Sequence, residues 1–533
     1  MRKLTRLLLM VTFFVAALSL GSMNVMAAKK VLRSTWAWPT YIDPAVGSDN
    51  SSASALVNLY DTLVFPDKDG NPIAHLASSW TSSKDGKTWT FNLRKGVKFH
   101  DGSELRAEDV KFSMERLVAI GQGYAFLFAG KGIAVHTSGK YKVIFKLKQP
   151  FGPFLTTLFR FSVLNKDLVM KNIKKPGAHG KMGDYGKKFL LTNDAGSGPY
   201  IVKKFKFEEY LTMTKNPNYF LPMDSRTPDE LKMIGTTQAV TIRSMMSRGE
   251  LEISDQWQAQ ESLKALKRIR GVKVANFYMG DMFYFMMHTK KAPTDDVHFR
   301  RAMAWAMDYQ TVVKLLFPGA KQARGPVAQT IPGANPYSFQ FTRNLAKAKA
   351  ELKKSKYYGK LDQYPVEIHW VAEVPDEEKV ALLFMSNMSE IGINVKVVKV
   401  PWMSVVEETA SMETSPNIVT IFDNPKYPEA GSILEARYRS GTAATWEQNE
   451  WLLDKKYDAK VADALATVNR QERMRKYMEL QDYIVDICPT LFIFDKVVQH
   501  AYNSNLIDWP ALRKESPTIN GYIHAGRFIT FKK

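Results

Sequence analysis

The segment from Asp85 to Val118 constrains the fold more than any other part of the chain. Asp85-Gly86 and Asp101-Gly102 suit tight turns, because glycine takes a positive φ at low cost. From Trp89 to Leu93 apolar and polar residues alternate, which is typical of a strand with one buried face. From Val110 to Val118 the apolar residues fall on one stripe of a helix. The segment therefore predicts strand, turn, strand, turn and helix in close succession.

Two motifs within this segment resemble those of a known family. They read Leu93-Arg-Lys-Gly-Val-Lys-Phe-His-Asp-Gly102 and Ala107-Glu-Asp-Val110. Together they resemble the signature of the peptide/nickel-type (family 5) extracytoplasmic solute-binding proteins of ABC importers, which include dipeptide- and oligopeptide-binding proteins. Arg106 stands where the family usually has Thr or Ser, which removes a favourable helix N-cap. This departure puts no function in doubt, because the segment lies in a scaffold subdomain of that family.

The resemblance extends along nearly the whole chain after the leader. Four further stretches carry it: Tyr41-Ile-Asp-Pro44, Asn58-Leu-Tyr-Asp-Thr-Leu63, Gly196-Ser-Gly-Pro-Tyr200 and the helical pattern from Asp295 to Asp308. The glycine-rich stretch lacks the Gly-Lys-Ser/Thr ending and the following helix of a phosphate-binding loop. The stretch from about Tyr337 to Tyr457 resembles the family only weakly.

The resemblance implies an α/β fold with the two-lobed type II periplasmic binding protein (Venus-flytrap) architecture and an extra subdomain in lobe I. It implies this division of the chain: a signal peptide, 1–27; the first part of lobe I, 28–283, with the extra subdomain at about 60–190; lobe II, 284–495; and a return to lobe I, 496–533. In such a protein a peptide or other small molecule enters the cleft and shifts the hinge equilibrium toward closure. The closed form is then recognised by the ABC permease complex in the inner membrane. We expect a monomer that needs no cofactor.

The N-terminus predicts export. Basic residues up to Arg6 precede an apolar run, Leu7–Leu20, that is too short for a comfortable membrane span. Val25-Met-Ala27 suits a leader peptidase, so we expect the mature chain to start at Ala28 in the periplasm; the alternative is an uncleaved anchor. Cys488 is the only cysteine, which excludes an intramolecular disulfide and a lipid anchor near the cleavage site.

The chain is strongly basic, with a formal net charge of +21. Such a charge can indicate a nucleic-acid or anionic-surface partner. The basic residues are scattered, however, and short runs such as Lys264–Arg270 are amphipathic. No nucleic-acid motif accompanies them, so we expect a solvated basic surface and no nucleic-acid partner, while the anionic-surface alternative stays open.

In the weakly matching stretch from about Tyr337 to Tyr457, the periodicity of apolar residues predicts the secondary structure. Strands are predicted at Val366–Val371, Ile393–Val400 and Asn417–Phe422, with helices between them. Strands separated by helices imply parallel pairing, and open parallel sheets bind ligands beyond the carboxyl ends of their strands. Asp423 directly follows one such end, and Trp402 closely follows another.

Asp423 is the main candidate for ligand binding. The loop from Phe422 to Glu429 loosely resembles the loop that follows the corresponding strand in peptide-binding relatives. In those relatives an Asp pairs with the amino terminus of the ligand, as a fixed ammonium in a closed cleft requires. The alternative for Asp423 is an ordinary turn or capping residue. Glu429 is a weaker candidate in the same loop.

Four tryptophans are candidates for the walls of the cleft, because ligand sites use flat apolar surfaces with few polar anchors. They are Trp36, Trp38, Trp257 and Trp402. Trp36 and Trp257 lie in segments that approach the cleft in this family. Core packing is the alternative for each of them.

No catalytic or metal-binding constellation is found in the sequence. The nine histidines are dispersed and there is no His-Glu-x-x-His helix or Gly-x-Ser-x-Gly elbow. Cys488 lies beside Pro489 in an apolar run, which indicates a buried, inert thiol. We therefore expect a binding protein and not an enzyme. A periplasmic hydrolase stays open as a rival class, and an opine, a sugar or a metal chelate as rival ligands.

Overall fold

The computed structural model describes residues 29–37 and 41–532. The predicted signal peptide and Trp38 lie outside the described residues. Within the described part of the chain, no helix is long and apolar enough to cross a bilayer.

The strands form where apolar and polar residues alternate or where a short apolar run ends in turn residues. In chain order they are β1 Val31–Trp36, β2 Val64–Pro66, β3 Pro72–Ala74, β4 Ala77–Ser82, β5 Thr88–Leu93, β6 Ala134–Thr137, β7 Lys142–Lys146, β8 Tyr200–Lys206, β9 Tyr210–Lys215, β10 Glu230–Gly235, β11 Val272–Phe277, β12 Met282–Met287, β13 Lys321–Gln322, β14 Val366–Val371, β15 Val395–Val400, β16 Ile418–Asp423, β17 Thr490–Asp495, β18 Val498–Asn503, β19 Ile507–Asp508 and β20 Thr530–Phe531.

The α-helices mostly connect strands or cover the faces of the sheets. In chain order they are α1 Asn50–Leu59, α2 Ala107–Ile120, α3 Phe154–Thr157, α4 Lys166–Lys171, α5 Ala239–Ser247, α6 Gln260–Leu266, α7 Val297–Ala306, α8 Tyr309–Thr311, α9 Leu345–Leu352, α10 Pro375–Ser389, α11 Trp402–Glu408, α12 Gly431–Tyr438, α13 Lys455–Ala466 and α14 Arg470–Ile487.

Lobe I is built on two groups of strands. The first has the order β1-β10-β9-β8, with β1 parallel to β10 and the other neighbours antiparallel. The second is the antiparallel pair β11-β18. Ile253 bridges the two groups, because it pairs with Ser34 of β1 and with Tyr502 of β18. The end of the chain is thereby built into the same lobe as its beginning.

The extra sheet of lobe I contains the segment that opens the sequence analysis. Its order is β4-β5-β7-β6, antiparallel throughout. Gly86 and Gly102 have φ of 67° and 87° at the two predicted turns. Helix α2 begins after Arg106, whose backbone N–H donates to the Asp109 carboxylate at 2.8 Å. Asp109 thus caps the backbone at a position where Arg106 supplies no capping side chain.

Lobe II is built on one six-stranded sheet of order β13-β17-β12-β16-β14-β15. Strand β14 runs parallel to both β15 and β16, which confirms the pairing predicted from the alternation of strands and helices. Asp423 is the last residue of β16 and not the residue after it. Trp402 begins helix α11 just beyond the end of β15. Both therefore lie at the carboxyl edge of the parallel strands.

The chain crosses between the two lobes at neighbouring positions. Residues 278–281 lead from β11 in lobe I to β12 in lobe II, and residues 496–497 lead back from β17 to β18. The backbone N–H of Lys496 donates to the carbonyl oxygen of Asp281 at 2.8 Å, which joins the crossings. Two adjacent crossing segments of this kind suit a hinge. The exact lobe boundaries given above stay predictions.

A buried carboxyl ties helix α10 to the large sheet. Glu377 accepts hydrogen bonds from the Val371 N–H at 2.9 Å and from the Thr420 hydroxyl at 2.7 Å. It is 1% exposed, and burial raises its pKa from the ordinary 4.5 to about 8. The folded protein therefore retains this proton at pH values at which the unfolded chain has lost it.

We expect Glu377→Gln to gain stability relative to the wild type as the pH rises. Between pH 5 and 8 only the wild type releases a proton from this residue on unfolding, so its free energy of unfolding falls against that of the variant by roughly 1 kcal/mol per pH unit. Urea unfolding at several pH values measures this difference. Glu378→Gln, on the exposed side of the same helical turn, is the matched control. A difference that stays constant across this pH range would contradict the prediction.

Candidate ligand-binding cleft

A cavity of about 150 Å³ lies between the lobes, beside the crossings. Gln256 and Trp257 line it from lobe I, Asp376 and Phe494 from lobe II, and Lys496 from the second crossing. The predicted wall residue Trp257 therefore lies at the cavity. The cavity combines a flat apolar surface with a few polar groups, as ligand sites do.

The ammonium group of Lys496 lies between two aromatic rings. Its Nζ is 4.3 Å from the ring centroid of Trp257 and 4.0 Å from that of Phe422. Phe422 is held in turn by stacking on Phe283, with centroids 4.4 Å apart. Burial lowers the pKa of Lys496 below its ordinary value, although nearby carboxylates, Asp281 foremost, oppose that shift. The aromatic faces stabilise the cation in this position without accepting its hydrogen bonds.

Asp423 is buried and paired with cations of its own chain. One carboxylate oxygen lies 2.7 Å from Lys426 Nζ and the other 2.9 Å from an Arg437 nitrogen. Burial alone would raise the pKa of Asp423, but the two cations hold it below its ordinary value. In this conformation Asp423 is thus an ionised carboxylate that already pairs with the ammonium group of Lys426.

Two glutamates extend this cluster. Glu447 lies 3.7 Å from Lys426 Nζ, and Glu450 lies 3.8 Å from Arg437. Burial raises the pKa of each glutamate to about 7. Lys426 therefore lies near a second carboxyl group besides Asp423. With pKa values of about 7, Glu447 and Glu450 can gain or lose a proton near neutral pH.

The predicted alternative anchor, Glu429, lies in a separate ion pair. Its two oxygens are 3.0 Å and 2.8 Å from Nε and Nη2 of Arg473, a bidentate geometry. Both residues are 3% exposed. The remaining Arg473 nitrogen donates to the carbonyl oxygens of Thr467 and Val468. Glu429 thus links its loop to helix α14, and its ligand role stays a prediction.

Two of the other predicted wall residues, Trp36 and Trp402, lie away from this cavity. Trp36 is 4% exposed in the core of lobe I, where its ring meets that of His524 edge to face at 4.7 Å. Trp402 is partly buried and packs against Trp446 with centroids 5.2 Å apart. The backbone N–H of Trp402 donates to the Glu373 carboxylate at 2.9 Å. Neither tryptophan lines the cavity that contains Trp257.

The lobes are in contact across the cleft. Arg160 donates to the carbonyl oxygen of Lys426 in lobe II at 2.9 Å and to that of Asn520 in lobe I at 3.0 Å. Lys131 of the extra subdomain forms an ion pair with Glu435 of lobe II at 2.8 Å. The structure therefore shows a closed arrangement in which the cavity is bounded from both sides.

Sequence reasoning missed most of the charged groups around the cleft. Lys426, Arg437, Glu447 and Lys496 were not predicted to act there. Lys496 did carry a signal, because it directly follows the buried strand β17. The turn after β16, helix α12 and the short 3₁₀-helix Trp446–Gln448 bring the others to Asp423, and no local pattern reveals this.

No metal or thiol chemistry is supported by the geometry. Among residues 29–37 and 41–532, no group of His, Cys, Asp or Glu side chains is placed to hold a metal ion. Cys488 is 1% exposed, and burial raises the pKa of its thiol to about 11. It is therefore a poor nucleophile at neutral pH, as predicted.

Comparisons with known proteins agree with this architecture. The family model described as bacterial extracellular solute-binding proteins, family 5 Middle, matches residues 71–444. The chain belongs to this family. A relative from Escherichia coli, the probable D,D-dipeptide-binding periplasmic protein DdpA, is 30% identical over 478 residues, covering 88% of this chain and 89% of the relative. The dipeptide-binding protein DppE of Bacillus subtilis is 22% identical, covering 88% and 87%.

Solved structures of family 5 proteins share the fold. The DppA protein of Helicobacter pylori in complex with the peptide STSA superposes with a TM-score of 0.82 at 21% identity, covering 94% of this chain and 98% of that one. NikZ of Campylobacter jejuni with Ni(L-His) gives 0.81 at 20% identity, covering 94% and 99%. AgaA from Agrobacterium tumefaciens R10, named with agropinic acid, gives 0.78 at 19% identity, covering 94% and 99%. The two-lobed type II fold predicted from the family resemblance is confirmed.

We expect the Glu429–Arg473 pair to be required for stability. Arg473→Met leaves the Glu429 carboxylate buried without its partner, which costs about 3–5 kcal/mol of the free energy of unfolding. Combining it with Glu429→Met removes both charges and restores most of the loss. Urea unfolding of the wild type and the variants measures these changes.

The control uses an exposed pair on the same helix. Arg475 and Glu479 form an ion pair with side chains 60% and 58% exposed, so Arg475→Met costs about 0.5 kcal/mol or less. Equal losses for Arg473→Met and Arg475→Met would show that the buried pair has no special role.

Proposed function

We propose that this protein is the periplasmic substrate-binding component of an ABC importer. It captures a peptide or peptide-like small solute between its lobes by hinge closure and delivers it unaltered to the permease complex in the inner membrane. The observation that carries the proposal is the cavity lined from both lobes beside the two crossings. A solute held there contacts both lobes only in the closed state, so its binding energy drives closure.

We further propose how the protein is exported and how it acts in the periplasm. Residues 1–27 direct export and are removed before Ala28. The mature protein acts as a monomer, without a catalytic step and without a nucleic-acid partner. Membership of a solute-binding family supports a binding role over a hydrolytic one.

The peptide class is supported by the relatives. DdpA and DppE are named for binding dipeptides, and the DppA structure is named with a peptide. A non-peptide solute is the second candidate, because AgaA and NikZ, named with agropinic acid and Ni(L-His), share the fold about equally well.

Within this function Asp423 is the anchor for the ammonium group of the solute. The supporting observation is that an ammonium already occupies this position, namely Nζ of Lys426 at 2.7 Å. An incoming amine takes its place, and Lys426 turns to Glu447, which is 3.7 Å from Nζ. The exchange keeps every buried charge paired when Glu447, whose pKa is raised to about 7, gives up its proton as Lys426 approaches.

We expect ligand binding to raise the melting temperature and to close the protein. A thermal-shift screen over dipeptides, tripeptides, opines, sugars and metal chelates identifies the class, because a ligand that binds only the folded state stabilises it. Small-angle X-ray scattering with each hit measures closure as a smaller radius of gyration. Hits confined to non-peptides would replace the peptide class. Scattering unchanged by every hit would argue against hinge closure.

We expect Asp423→Asn and Lys426→Met to change affinity in opposite directions. Asp423→Asn removes the charged partner of the amine and weakens a dipeptide by about 1.5–3 kcal/mol. Lys426→Met removes the competing ammonium and tightens the same dipeptide. Isothermal titration calorimetry measures both affinities.

The N-acetylated dipeptide is the matched ligand, because it lacks the ammonium and should not distinguish the variants from the wild type. Circular dichroism checks that each variant is folded. If Lys426→Met leaves the affinity of the free dipeptide unchanged, Asp423 does not exchange one amine for another.

A further inference from the structure

Lys496 differs from three buried cations near the cleft. Lys426, Arg437 and Arg473 each have a carboxylate within 3.0 Å. Lys496 Nζ has no hydrogen-bond or ion-pair partner anywhere in residues 29–37 and 41–532, and its side chain lines the cavity. Its neighbours are the faces of Trp257 and Phe422, which attract the charge but leave its three N–H donors unused.

Gln256 adds a second unused donor to the same cavity. The residue is 8% exposed, lines the cavity, and its buried Nε2 has no hydrogen-bond partner among the described residues. A buried donor without an acceptor costs free energy that a bound acceptor recovers. Lys496 and Gln256 therefore present two unmet donor groups, one charged and one neutral, to one small space.

The carboxylates near Lys496 are mostly engaged elsewhere. Asp255 accepts from the Trp257 N–H at 2.8 Å and from Gln258 at 2.9 Å. Asp376, the carboxylate that lines the cavity, lies 3.1 Å from Lys379 Nζ. Asp255 is hydrogen-bonded within the protein, whereas Oδ1 of Asp376 forms this ion pair but accepts no hydrogen bond among the described residues. The charge of these carboxyl groups favours the protonated form of Lys496 without a bond to its Nζ.

Two further carboxyl groups face Lys496 from the crossing and from helix α10. Glu377 is bonded to Val371 and Thr420 as described. Asp281 accepts from Asn424 at 3.4 Å through one oxygen, while its other oxygen has no partner among the described residues. Asp281 does not line the cavity. No acceptor among the described residues reaches Lys496 Nζ, so its donors are available to a negatively charged acceptor from outside the protein.

We propose that Lys496 and Gln256 bind a carboxylate of the solute, so that the transported class is small carboxylic acids and, for a peptide, the free carboxyl terminus. This assignment rests on the proposed function in that a solute enters this cleft. The cavity of about 150 Å³ has the volume that holds one benzene-sized group, which favours a short solute over a long peptide.

The position of Lys496 couples this contact to closure. Lys496 is part of the second crossing, and its backbone is bonded to Asp281 of the first. Asp281 in turn contacts Asn424, the neighbour of Asp423. Lys496 and Asp423 thus lie near the same crossing, although Asp423 does not line the cavity that contains Lys496.

The test compares a carboxylate with its amide on the wild type and on Lys496→Met. The probes are Ala-Ala, D-Ala-D-Ala, their C-terminal amides, and non-peptide carboxylates including an opine, all measured by isothermal titration calorimetry. We expect the wild type to prefer each acid over its amide by roughly 10-fold or more, because only the acid accepts a hydrogen bond between two opposite charges from Lys496. Lys496→Met should weaken the acid roughly 10- to 100-fold and abolish that preference.

Two variants complete the test. Gln256→Leu removes the neutral donor and should weaken the acid by roughly 3- to 10-fold. Lys273→Met makes the same charge change on the exposed side of β11 and should leave every affinity as in the wild type. Melting temperatures of all variants establish that they are folded.

The outcomes separate this proposal from the proposed function. If acid and amide bind the wild type equally well, or if Lys496→Met binds the acid like the wild type, the carboxylate site is wrong while peptide capture stands. If only non-peptide carboxylates bind and Lys496→Met weakens them, the site stands and the peptide class falls. If no carboxylate binds the wild type, the site is overturned.

Discussion

The hydrogen bond between the Lys496 N–H and the Asp281 carbonyl oxygen joins the two places at which the chain changes lobe. On either side of it, the pair β11-β18 belongs to lobe I, whereas β12 and β17 are neighbours in the sheet of lobe II. The lobes can therefore turn about one line but cannot separate. The cleft must form beside that line, and any solute there meets both lobes. Hinge closure and the placement of the candidate site both follow from this single connection.

Charge pairing stabilises the buried carboxylate of Asp423. An unpaired carboxylate in this position would cost several kcal/mol. Lys426 and Arg437 provide the compensation within 3.0 Å. If Asp423 anchors the amine of a solute as proposed, that amine must displace one of these cations and not simply join them. Under this proposal the affinity depends on the free-energy difference between two ammonium positions, so further contacts of the solute, such as those of a carboxylate, decide selectivity.

Much of the fold was predictable because its signals are local. Periodicity predicted strands at 366–371 and 393–400, and the structure forms them at 366–371 and 395–400. The helices between them implied their parallel order, which placed Asp423 and Trp402 at one edge of the sheet. The partners of these residues were not predictable. Glu429 is occupied by Arg473 from a helix that begins 41 positions later in the chain than Glu429 itself. Trp36 is packed against His524 from the opposite end of the chain. Periodicity indicates which face of a helix or strand is buried, but not which residue packs against that face.

The environment of Lys496 shows why ligand identity is harder to predict than architecture. Trp257, Phe422 and Lys496 come from three distant segments, and each lies in an otherwise ordinary stretch. No spacing rule joins them, and only the folded chain reveals an ammonium with donors to spare. Trp257 and Lys496 lie outside the strands, whereas Phe422 is part of β16 and stacks on Phe283. Residues beside a hinge of this kind can differ while the sheets and the crossings stay the same, and the solved structures named with the peptide STSA, Ni(L-His) and agropinic acid share this fold.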